Sequence, residues 1–164
     1  MSVIDALVAE LDQELASTRR VLQAIPADQL SYRPHEKSFS LGDLGMHVAN
    51  IGMWGATTLR TEELDTSTFD PAASPTSPEE FLSAFDENAR DFREALTAAS
   101  PEALAVPWIL RTGDQTHFTL PRAAVLRSFV LNHLYHHRGQ LTVYLRLIGA
   151  PVPGVYGPSA DETT

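Results

Sequence analysis

Apolar residues recur every three or four positions at the start of the chain. Ile4, Leu7, Val8, Leu11, Leu15, Thr18, Leu22 and Ile25 share one helical face, with Ser2 placed to cap the start and Pro26 to end the run. Residues 27–39 contain Pro34 and no sustained period, which predicts a connecting loop with a short turn at Ala27 to Leu30. Ser40-Leu41-Gly42-Asp43 has the form of a capping box with Asp in place of Glu, opening a second helix to about Arg60. Thr61 to Thr76, with Pro71 and Pro75, reads as a surface connection. Ser77-Pro78-Glu79-Glu80 then starts a third helix, whose face carries Phe81, Phe85, Ala89, Phe92, Leu96 and Ala99.

The period changes after that helix. Val106, Trp108 and Leu110 alternate, Thr112-Gly113-Asp114 can turn, and Thr116, Phe118 and Leu120 alternate again, which predicts a short hairpin or extended flap. A last helix runs from near Pro121 to Ile148, where Gly149 can cap it and Pro151 prevents continuation. Disorder in the tail is expected only at the last few residues. Four stripes of this kind are buried most simply against one another. The predicted architecture is therefore an all-α four-helix bundle in a single domain over residues 1–164, with the flap before the last helix and no internal repeat.

Composition narrows the chemistry. With 21 acidic against 12 basic residues the net charge is −9, so the summed field opposes nucleic-acid backbones and anionic membranes and leaves a small molecule as the expected partner. The chain has no cysteine, which excludes a protein nucleophilic thiol and thiolate ligands; any thiol chemistry needs a thiol from outside. No stretch approaches the roughly 18 apolar residues of a membrane span, and no leader pattern precedes the first helix, so a cytoplasmic location is expected.

Six histidines remain to be placed. At about 100° per residue, Leu126 and Tyr144 fall within about 20° of His133, so a uniform helix centres its apolar stripe on that residue. His137 lies at about +40° and His136 at about −60°, and the i,i+4 pair His133 and His137 stacks two imidazoles one turn apart. On the second helix His47 falls near Trp54, Ile51, Leu44 and Thr58. Three imidazoles aimed into one bundle would leave buried polar atoms without partners, a cost that one shared cation removes. His47, His133 and His137 are therefore the candidate ligands of one divalent ion, with His136 the competing partner and His35 and His117 read as surface residues. Zn, Ni, Fe or Co would suit imidazole donors. Leu134 stands where a metalloprotease helix would carry its general-base Glu. Asn50, one turn beyond His47, and Gln140, beside the pair, are candidates to orient a ligand or touch a substrate.

The string Asn132-His133-Leu134-Tyr135-His136-His137-Arg138-Gly139-Gln140-Leu141, followed by Leu147-Ile148-Gly149-Ala150-Pro151-Val152-Pro153, resembles the final helix of the DinB-like superfamily. Tyr32-Arg33-Pro34 and the run Ser38-Phe39-Ser40-Leu41-Gly42-Asp43-Leu44 up to His47 resemble its approach to the second helix. The resemblance implies a four-helix bundle in which His47, His133 and His137 bind a divalent metal. It also implies a metalloenzyme that activates a low-molecular-weight thiol such as bacillithiol, mycothiol or glutathione, for S-transfer or isomerisation. The alternatives are a metal-dependent hydrolase acting through bound water and a non-catalytic metal-binding or interaction module. Leu131, Tyr135, Thr142 and Leu145 fall opposite His133 on the uniform wheel, which predicts a homodimer formed through that strip.

Overall fold

The computed structural model describes residues 2–69 and 73–162. Helix α1 spans Val3–Gln23 and opens on a reciprocal cap: Ser2 Oγ accepts from Asp5 N–H at 3.0 Å, and the Asp5 carboxylate accepts from Ser2 N–H at 2.8 Å. Helix α2, Leu41–Arg60, has half of that device. Ser40 Oγ accepts from Asp43 N–H, but the Asp43 carboxylate takes the Ser40 hydroxyl instead of its backbone N–H. Helix α3, Pro78–Ala98, starts with Pro at its first turn, where the missing N–H costs nothing. Its Phe81, Phe85, Phe92 and Leu96 are buried.

Helix α2 packs close to α3 because glycine faces it. A Cβ built on Gly55 would lie 2.6 Å from the Phe92 ring, and one on Gly52 would lie 3.1 Å from the Asn88 carbonyl oxygen. Glycine inside a helix costs about 1 kcal/mol relative to alanine, which the tight interhelix packing offsets here.

The bundle is not strictly all-α. Strands β1 (Glu63–Asp65), β2 (Pro107–Thr112) and β3 (Gln115–Pro121) form one sheet in the order β1-β2-β3. The expected hairpin is β2 with β3, antiparallel, turning at Gly113, whose φ of 55° favours glycine. Strand β1 lies in the segment read as a plain connection, three residues pairing parallel with β2. Its Glu-Leu-Asp sequence is too short for a period; it is a strand only because β2 offers an edge. Asp65 holds the arrangement by accepting from Gly113 N–H at 3.0 Å and pairing with Arg111. Trp108 is wholly buried beneath the sheet and donates to Thr61 Oγ1 at 3.2 Å. Pro71, named in that connection, lies outside the described residues.

The last helix is α-helical over Arg122–Val125, π-helical over Leu126–Leu131 and α-helical again over Asn132–Leu147. A π turn holds an extra residue, which rotates everything beyond it by about 100° relative to a uniform helix. The buried side chains beyond it are Leu134, Arg138, Leu141 and Leu145, with Tyr144 at their border. Their stripe is centred about 110° from His133 and not on it. Phe129 and Leu147, which a uniform wheel puts about 40° from His133, are 37% and 59% exposed.

This overturns the proposed dimer strip. Leu131 and Leu145 are core residues, Tyr135 donates to Glu10 Oε1 of α1 at 2.9 Å, and Thr142 Oγ1 bonds back to Gly139 O. The uniform wheel failed for two reasons: it ran straight through the π turn, and hydropathy assigns Arg138 to the surface. Arg138 is 2% exposed and pairs at 2.6 Å with Glu14 of α1, itself buried. It also donates to Glu14 O, Ser17 Oγ, Thr18 Oγ1 and Tyr156 Oη, and Tyr156 Oη donates to Glu14. The tail is held there, and again by Arg146 to Asp161 and Arg20 to Gly154 O. Thr163 and Thr164, where disorder was expected, lie outside the described residues.

Candidate metal centre

The stripe on the last helix is off-centre from the histidines, so His133 and His137 stand at its border, half-buried, facing His47 of α2. Ligand atoms of the three side chains lie within 4.8 Å of one another, and among the described residues they form the one such group of His, Asp and Glu. His47 Nε2 and His133 Nε2 are 3.1 Å apart. The ring centroids stand 5.0 Å (His47–His133), 4.5 Å (His47–His137) and 4.6 Å (His133–His137) apart. His136 stays outside the group, exposed, with its ring 4.8 Å from that of His137.

Two of the rings are held from behind. His137 Nδ1 bonds Gln140 Oε1 at 2.7 Å, which with the carbonyl oxygen as acceptor leaves the His137 Nε2 lone pair for a ligand. His133 Nε2 faces His47 Nε2. Phe39 stacks on His47 at 5.5 Å and an interplanar angle of 20°. Burial, followed by the neighbouring His137 and His133, lowers the His47 pKa to about 4. Burial also lowers His133 and His137, against the opposing hydrogen bonds from Phe129 and Gln140. The cluster is thus neutral at physiological pH.

Three neutral imidazoles in mutual contact suit a cation. Nitrogen donors roughly 2.0–2.1 Å from one tetrahedral ion stand about 3.3 Å apart, and the observed His47–His133 separation of 3.1 Å is close to that. His47 lines a cleft of about 370 Å³ whose wall also includes Asn50, Asp43, Met46 and Phe39. Asn50 does not point at the histidines alone: its Oδ1 accepts from Asn88 of α3 at 3.3 Å. Neither Asn88 nor Phe39 was legible as a site residue, since Asn88 is one polar position among many on α3 and Phe39 sits in an aperiodic loop. His35 and His117 are surface residues, bonded to Lys37 N–H and to Thr112 Oγ1.

A match to the DinB family covers residues 1–164. The chain belongs to the DinB family. The uncharacterised protein YrdA of Bacillus subtilis (strain 168) is 27% identical over 160 residues, 97% of this chain and 91% of that protein. Among solved structures, a DinB-like protein from Bacillus cereus superposes with a TM-score of 0.72 at 26% identity, covering 93% of this chain and 97% of that one. A DinB-like protein from Bacillus subtilis gives 0.71 at 18% identity over 92% and 96% of the two chains. A DinB-family protein from Exiguobacterium sibiricum gives 0.66, also at 18%, over 98% of each chain. The last two likenesses are of fold. No helix among the described residues is long and apolar enough to cross a membrane.

Proposed function

We propose that this DinB-family protein holds one divalent metal ion with His47, His133 and His137 and uses it in a thiol-dependent transferase or isomerase reaction. The observation that carries the reading is the convergence of three neutral imidazoles, one of which, His47, lines an open cleft. Neutral donors leave an ion its full charge, and three of them leave a coordination position free, the pattern of catalytic rather than structural sites. A bound divalent ion supplies Lewis acidity, lowering the pKa of a thiol or water placed beside it. Gln140 keeps His137 facing the site, Phe39 shields His47 from water, and Met46 with Phe39 gives the apolar part of a substrate a surface to rest on. Because the chain contributes no cysteine, an external low-molecular-weight thiol has no protein thiol to compete with. A cytoplasmic setting suits such a thiol.

Metal analysis of the purified chain tests the first half: one ion of Zn, Ni, Fe or Co per chain is expected, lost in His47→Ala, His133→Ala and His137→Ala and kept in His136→Ala. An electrophile screen with and without added thiol tests the second. Turnover that needs thiol and metal together supports the reading. Ester cleavage without thiol makes the protein a hydrolase, and a metal-loaded chain inert in every arm makes it a binding module.

A further inference from the structure

Asn50 has one determined orientation. Asn88 Nδ2 lies 3.1 Å from Ala49 O and 3.3 Å from Asn50 Oδ1. A backbone carbonyl only accepts, so the Asn88 atom facing it is the NH₂ group. The second hydrogen of that group goes to Asn50, whose facing atom must therefore be the carbonyl oxygen. The Asn50 NH₂ is left over, on the cleft wall one turn beyond His47. Gly52 makes the arrangement reachable, since a Cβ there would press on the Asn88 backbone at 3.1 Å and hold α3 away. Asp43, the other strongly polar group on this wall, supplies only acceptors, and these are engaged by Ser40 and Arg33.

Resting on the metal reading above, we propose that Asn88 is a positioning residue that fixes Asn50 as a hydrogen-bond donor beside the metal-binding imidazoles, so that the site selects ligands with a carbonyl-type oxygen next to the metal-binding atom. Asn50 shares the cleft wall with His47, so its donor would serve an oxygen of a ligand whose thiol occupies the ion. Thiols and electrophiles carrying an adjacent ester, thioester, amide or carboxylate oxygen are the class this favours. A purely structural Asn88, tying α3 to α2, would affect stability without discriminating between ligands.

The test compares methyl thioglycolate with 2-methoxyethanethiol, which lacks the carbonyl, on the cobalt-loaded protein, titrating the thiolate-to-cobalt absorption band. The readout is the ratio of the two affinities in each variant relative to wild type, in which intrinsic differences between the thiols cancel. Asn88→Asp removes the donor to Asn50 and offers an acceptor, turning the Asn50 amide so that its oxygen faces the cleft. The ratio should fall about tenfold, the scale of one hydrogen bond, with metal stoichiometry unchanged. Asn50→Leu should lower it similarly and carries the test where Asn88→Asp fails to fold. An unchanged ratio in Asn50→Leu, or equal weakening of both thiols, overturns the proposal. If neither thiol gives the band although metal is bound, the thiol reading fails alone and acetate on the zinc-loaded protein decides. A shift of the Asn50 side-chain amide resonances in wild type but not in Asn88→Asp upholds the proposal, and no shift overturns it. A chain that binds no metal overturns both.

Discussion

His137 and Arg138 are neighbours on the last helix and solve the same problem in opposite ways. Arg138 takes a full charge into the core and has it matched there by the Glu14 carboxylate, two hydroxyls, a backbone carbonyl and the Tyr156 phenol. His137, with His133 and His47, is half-buried and neutral, and one ligand atom of each of the three lies within 4.8 Å of the others. The first group is complete within the protein. The second, on the reading proposed above, would be completed by an added ion. A buried polar network is evidence about function mainly through the partners it lacks.

The largest effect should come from breaking the complete network. Arg138→Met leaves the Glu14 carboxylate buried without its partner, and denaturant unfolding should show a loss of about 3–5 kcal/mol. The double variant with Glu14→Leu should regain most of it; if the double variant is no better than the single one, the pair is not what holds α1 to the last helix. Metal binding by the refolded double variant should survive, since no ligand is altered.

Next in size is the response to metal. For wild type, ion at a hundred times its Kd should add about 2.7 kcal/mol to unfolding stability. His47→Ala should abolish that increment while changing the metal-free stability little. A metal-free protein strongly destabilised by His47→Ala would mean the imidazoles are core hydrogen-bonders like the Arg138 group. Gln140→Leu should weaken metal affinity about 10–100-fold without removing the site, because His137 loses the bond that orients it. Unchanged affinity would remove Gln140 from any role behind the ligand.

The most gradual effect is that of pH. The His47 pKa is about 4 in the folded chain, below its ordinary value of about 6.5. Above the ordinary value both folded and unfolded forms are neutral and stability is intact. As pH falls below about 6.5 the unfolded chain takes up the proton while the folded one does not, so stability drains away until about pH 4. Metal affinity should fall over the same window, because protons compete for the donor nitrogen. Urea midpoints from pH 7.5 to pH 4 should slope less in His47→Ala than in wild type; identical slopes would show that His47 does not titrate this way.

The sequence by itself determined what depends on local patterning. The four helices, their side-chain caps at Ser2 and Ser40, the hairpin turn at Gly113 and the i,i+4 pair His133 and His137 each follow from residues a few positions apart, through intrinsic conformational preference and side-chain period. That His47 joins this pair in one cluster was legible too, because a lone histidine near an apolar face is conspicuous in a helix. Tertiary structure alone decided the rest. Strand β1 exists because β2 has a free edge, and Arg138 is inside because Glu14, far away in the chain, neutralises it. The phase of the last helix was set by a π turn that no propensity announces. Asn88 matters because α3 lies close enough to Gly52 for its amide to reach Asn50. In each case the deciding free energy lies in a contact between distant segments, and a one-dimensional pattern records only which residues are present and not which partners they will find.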